Sequence, residues 1–128
     1  MVRDQPYKGC AILMPFNDVS HLFAVLNEPC VNNLCLTVMI SSIKPGRVYD
    51  PACVLDKGDH PFISHPSYVV YRLASTPSCA HINKMIAKRY YVSKDEFDST
   101  VLRRIADGLF ESDEARGTML KYARLNSV

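Results

Sequence analysis

His21-Leu22-Phe23-Ala24-Val25-Leu26-Asn27 and Leu34-Cys35-Leu36-Thr37-Val38-Met39-Ile40 are the stretches on which the fold turns. Each is a short apolar run rich in branched residues. Turn formers bound them: Asn17-Asp18 before the first, Pro29 and Asn32-Asn33 between the two. Runs of this kind read as buried strands. Toward the start of the chain, Cys10 to Met14 is a third such run, closed by Pro15. Past Ile40 the character changes. Lys44-Pro45-Gly46-Arg47, Asp50-Pro51 and Lys57-Gly58-Asp59 crowd turn signals around the brief Cys53-Val54-Leu55 run, which predicts an ordered loop region holding one short strand. Ser67 to Leu73 then alternates Tyr68, Val70 and Arg72 with Val69, Tyr71 and Leu73, as a strand does.

The helical signal comes last. Ser93 with Glu96 three residues later has the spacing of a capping box, in which each side chain satisfies the other's backbone amide. Phe97, Val101, Leu102, Ile105, Ala106, Leu109 and Phe110 follow at helical spacing along one stripe, which must be buried against a sheet or a partner. A second, shorter helix from Ala115 to Leu125 would bury Met119, Leu120 and Ala123, against the propensity of Gly117, which costs about 1 kcal/mol. The expected class is therefore α+β: a small β-barrel over residues 8–92, closed by a helical segment over 93–125, in one domain spanning 1–128.

Composition narrows the function. At 48% hydrophobic and 22% charged residues the chain has enough apolar surface to fold. A formal charge of +2 is too mild to imply nucleic acid through the net field, although a local basic groove remains compatible with it. The polar start lacks the apolar core of a secretory signal, and no window approaches the ~20 apolar residues of a membrane span. A cytoplasmic protein is expected. Its five cysteines, Cys10, Cys30, Cys35, Cys53 and Cys79, are scattered and read as reduced, mostly buried side chains; the alternative is a metal or redox site at Cys30 and Cys35.

Glycine-rich phosphate loops, nucleophile elbows and HExxH helices are missing, so candidate chemistry rests on smaller groupings. Gly58-Asp59-His60-Pro61-Phe62-Ile63-Ser64-His65-Pro66 sets His60 and His65 each before a proline, which restricts both to extended backbone. Two rigidly held imidazoles suit a base and an acid for phosphodiester cleavage. Equally, they suit polar ties holding the loop to the barrel, and with Asp59 they form a weaker metal set. His81, near Cys79, reads as structural. His21 opens one strand and Ser41-Ser42 closes the next; antiparallel pairing would bring His21 beside the serine pair. The competing reading is that the serines only end a strand.

In this order of segments the chain resembles the MazF and PemK toxin family, small barrel-like ribonucleases of bacterial toxin–antitoxin pairs. His21 to Asn27 looks like the family's strand preceded by a basic residue, Val38 to Ser42 like the strand ending in a small hydroxyl residue, and Asp95 to Phe110 like its closing helix. The resemblance implies an SH3-like barrel that cleaves single-stranded RNA without a metal or other cofactor. It also implies a homodimer restrained by an antitoxin protein. His21 stands where the family has its catalytic arginine, and Ser41 where it has the hydroxyl. The expected catalytic residues are His21, Ser41, His60 and His65. Ser41, Arg47 and Arg72 are expected to supply the donor or cation for the phosphate, Ser42 to help bind substrate, and Tyr68 or Tyr71 to stack an unpaired base. The alternative on the same scaffold is a non-catalytic module that binds RNA or protein.

Overall fold

The computed structural model describes residues 5–128. Among them the chain forms strands β1 (Ala11–Phe16), β2 (Val19–Val25), β3 (Thr37–Ser42), β4 (Val54–Leu55) and β5 (Ser67–Ser75), helix α1 (Cys79–Ala87), strand β6 (Val92–Lys94), then helices α2 (Ser99–Glu111) and α3 (Gly117–Leu125). The strands make one sheet in the order β4-β5-β3-β2-β1-β6, paired antiparallel throughout. Its edges are β4 and β6, of two and three residues. They do not pair with each other, so the sheet is open rather than the closed SH3-like barrel that the family resemblance implies. The apolar runs are instead covered from both sides. Leu22, Ala24, Val38, Ile40, Val69 and Tyr71 share one core with Val101, Ile105 and Leu109 of α2 and Ala123 of α3. On the reverse face Ile12, Met14 and Val25 pack with Cys35 and with Cys79 and Ile82 of α1.

Local sequence explains most of these elements. Asn17 and Asp18 both adopt left-handed backbone, with φ of 50° and 65°. This is the two-residue turn that twists a hairpin correctly, and Asn and Asp tolerate it best. It sets Phe16 opposite Val19. Pro15 lies inside β1 rather than ending it, opposite Ser20 and past Leu13, where β6 stops. A missing N–H is tolerated at such an edge.

The helix does not start at Ser93. Residues 92–94 pair with Ala11–Leu13 as β6, and the cap is Asp98, whose carboxylate accepts the Thr100 N–H at 2.8 Å. Ser93 and Glu96 have the spacing of a capping box, but the bare edge of β1 outcompetes it. Phe97, expected on the helical stripe, is buried just ahead of the helix, and its N–H reaches the Gly9 carbonyl at 2.9 Å. Helix α1 falls in a region with no strong periodicity. Its start is capped by Ser78, which accepts the His81 N–H at 3.3 Å.

None of the five cysteines is in a disulfide; four are buried and Cys30 is half-buried. A hydrogen bond to Tyr122 holds the Cys30 thiol below its ordinary range, while burial pushes Cys35, Cys53 and Cys79 up. Tyr122 itself accepts from Asn27 Nδ2 and donates to the Leu34 carbonyl, both at 3.1 Å. Burial pushes its hydroxyl from 10.0 up to about 12. Because the folded state favours the neutral phenol, that part of the stability is intact below pH 10 and is lost as pH rises toward 12. Denaturant melts at stepped alkaline pH should therefore fall less steeply for Tyr122→Phe than for wild type. Parallel curves would exclude this role for Tyr122.

Candidate functional site

The register of the central strands builds one row across a face of the sheet. β2 and β3 pair Leu22 with Ile40, so the next rung sets His21 beside Ser41. Ser41 is opposite Tyr68 on β5, and Tyr68 is opposite Val54 on β4. Met14 is opposite His21 on the other flank. Side chains of one rung point the same way, and strands lie about 4.8 Å apart, so His21 to Tyr68 spans roughly 10 Å. The His21 ring stands edge-on to Phe16 at 6.5 Å, and Tyr68 packs on Tyr49 at 5.6 Å. This end of the face is open: Phe16 is 38% exposed and Tyr49 37%. Arg72 projects from the same face further along β5. Arg47 is exposed in the loop leading to Tyr49.

Ser42, one residue on from Ser41, faces the opposite side. Its Oγ lies 2.6 Å from Nε2 of His65, and Nδ1 of the same ring lies 3.1 Å from Ser64 Oγ. The His65 carbonyl accepts from Ser67 Oγ at 3.0 Å, and the Pro66 carbonyl accepts the Ile43 N–H at 3.0 Å, which ties the loop to the sheet. The pair borders a cavity of about 100 Å³ walled by Ser20, Leu22, Ile40, Phe62 and Ile63. His21 contributes to that wall, but its ring lies with Phe16 on the other face. The sheet thus separates His21 and Ser41 from Ser42 and His65.

His60 stands apart from both. It is buried, donates from Nε2 to the Asp95 carbonyl at 2.5 Å, accepts the Phe62 N–H on Nδ1 at 3.0 Å and packs on Phe97 at 4.7 Å. Both ring nitrogens are tied to backbone groups and the ring is buried away from the surface, so the expected partnership with His65 is not formed. Asp59 is engaged by Arg104 at 3.0 Å and by the Asp56 N–H. Among the described residues no group of three His, Cys, Asp or Glu side chains is placed to hold a metal ion. His60→Ala removes the partner of the Phe62 N–H and of the Asp95 carbonyl and opens a void beside Phe97, so a loss of about 1–3 kcal/mol is expected in urea unfolding. A stability change under 0.5 kcal/mol would contradict this placement.

Tyr71 is also excluded from the surface. It is fully buried and donates to the Ile105 carbonyl at 2.6 Å; burial pushes its hydroxyl far up. Tyr68 alone of the two is available for stacking. Tyr49 and Ser20 join these groups without having been singled out in the sequence, whereas Ser64 belongs to the Gly58 to Pro66 loop already noted there.

No protein-family profile and no curated protein sequence matches the chain. In three dimensions it is similar to a chain from the crystal structure of the MazE–MazF complex (form II) of Deinococcus radiodurans. That match has a TM-score of 0.54 and 15% identity, and covers 84% of this chain and 93% of that one. The fold is MazF-like. At such low identity the likeness carries the architecture and not the chemistry, and it agrees with the segment order of two strands and a closing helix read from the sequence. In this sheet His21 and Ser41 lie on adjacent strands, each next in sequence to the last paired residues, Leu22 and Ile40.

Proposed function

We propose that the protein is a toxin-like endoribonuclease that cleaves single-stranded RNA, without a metal or other cofactor, at the row His21–Ser41–Tyr68. The observation that carries this reading is the row itself: an imidazole, a hydroxyl and an aromatic ring on successive strands of an open face, in a MazF-like fold. His21 takes the proton of a ribose 2′-hydroxyl. That oxygen attacks the adjoining phosphorus to form a 2′,3′-cyclic phosphate, and the departing 5′-oxygen takes a proton from water. The Ser41 hydroxyl donates to a phosphate oxygen as it gains charge. Tyr68, backed by Tyr49, stacks a flanking base, and Arg47 and Arg72 hold phosphates further along the strand.

Phe16, Val19 and Val54 leave apolar surface around the row, which suits cover by an antitoxin protein or by the second copy of a homodimer. No helix among the described residues is long and apolar enough to cross a membrane, which accords with action in the cytoplasm. The test is incubation of purified protein with single-stranded RNA in excess chelator, for wild type and His21→Ala. Cleavage by wild type and its loss in the variant support the reading. Tight RNA binding with no cleavage by wild type replaces it with a non-catalytic binding module, a reading favoured by the histidine at the arginine position.

A further inference from the structure

The geometry points to a second, separate reactive centre on the opposite face: Ser42 is an activated nucleophile with His65 as its base, in a site that takes short-chain carboxylic esters. It stands independently of the RNA reading, since the sheet lies between Ser42 and His21.

Three features make the case. Ser42 Oγ and His65 Nε2 are 2.6 Å apart, within the reach that lets an imidazole take a hydroxyl proton as the oxygen attacks. The other ring nitrogen, Nδ1, is 3.1 Å from Ser64 Oγ. If Nδ1 carries the hydrogen and donates it to Ser64, Nε2 is left as the acceptor for Ser42, the tautomer a general base needs. Ser64 is thus a positioning residue. Pro66 after His65, with its carbonyl held by the Ile43 N–H at 3.0 Å, keeps the base from swinging away.

The pocket completes the arrangement. Ser20 lines the same cavity as Ser42, and its hydroxyl is the donor assigned to an oxyanion formed on Ser42. Leu22, Ile40, Phe62 and Ile63 supply apolar wall. The cavity is small, about 100 Å³, which suits a compact acyl group such as acetyl.

The chemistry balances. Ser42 Oγ bonds to the ester carbonyl carbon as its proton passes to His65 Nε2. The carbon–alkoxy bond then breaks and the leaving oxygen takes that proton. Water attacks the acyl-serine, gives its proton to His65, and the released Ser42 oxygen recovers it, leaving a carboxylic acid and the alcohol.

The probes are methanesulfonyl fluoride, whose one-carbon group suits the small cavity, followed by intact mass and peptide mapping, and 4-nitrophenyl acetate turnover. Wild type should gain one sulfonyl group on Ser42. His65→Gln, which keeps a polar partner but accepts no proton, should label at least 100-fold more slowly, and Ser64→Ala about 10-fold more slowly at the same residue. Ester turnover should vanish in Ser42→Ala and persist in His81→Ala, which controls for acylation by an exposed imidazole. Circular dichroism of each variant separates lost chemistry from lost fold. Label on another residue, an unlabelled wild type, or an unchanged rate in folded His65→Gln overturns the proposal.

Discussion

Replacing His21 with alanine should lower RNA cleavage by about 10²–10⁴-fold, the usual contribution of a single general base, while leaving the fold intact. The second part follows from its setting. His21 is only partly buried, and its ring contact is an edge-on approach to the exposed Phe16, so no core packing depends on it. Its effect should be in turnover, measured with single-stranded RNA in chelator against a melt showing an unchanged midpoint. Ser41→Ala should cost less, about 10–100-fold, because a hydroxyl that steadies phosphate charge is partly replaced by water. His21→Arg returns the residue of the MazF and PemK pattern and should keep a measurable share of cleavage. Should His65→Ala abolish cleavage and His21→Ala preserve it, the chemistry belongs to the other face and the row is not the site.

Gly108→Ala is expected to be the most damaging small substitution for stability, at about 2–5 kcal/mol from overpacking plus a disturbed buried hydrogen bond. A Cβ at position 108 would lie 2.2 Å from Tyr71 Oη and 3.0 Å from both Tyr71 Cζ and Cys53 Cβ. Tyr71 cannot simply turn aside. It is wholly buried, and its hydroxyl ties β5 to α2 through the Ile105 carbonyl at 2.6 Å. The helix propensity gained by replacing glycine, about 1 kcal/mol, is too small to offset this. Urea unfolding measures the loss directly. Tyr71→Phe removes the offending oxygen, so the double variant should recover at least about 1 kcal/mol of the summed single losses. Strict additivity would show that the clash is relieved some other way.

Much of the frame was legible in the sequence. The strands around Leu22, Val38 and Val69 announced themselves by short apolar runs between turn formers, and Val101, Ile105 and Leu109 by spacings of four. These signals are local, and burial of an apolar face rewards them wherever the element packs. The antiparallel pairing of β2 with β3 was legible too, because a short connection between consecutive strands leaves few registers. β6 and α1 were not, since three exposed residues and a weakly periodic nine-residue segment take their form from β1's free edge and from the core they cover.

By itself, then, the sequence determined the main strands and the long helix, and the antiparallel pairing of β2 with β3. Only the tertiary structure decided which side of the sheet each histidine serves. A strand reverses side-chain direction at every residue, so Ser41 and Ser42 belong to opposite faces. The docking of the Gly58 to Pro66 loop then buries His60 against Phe97 and delivers His65 to Ser42. Whether the sheet closes was likewise a long-range matter: its two edge strands are short, and helices on both faces, rather than a barrel seam, bury its apolar side chains.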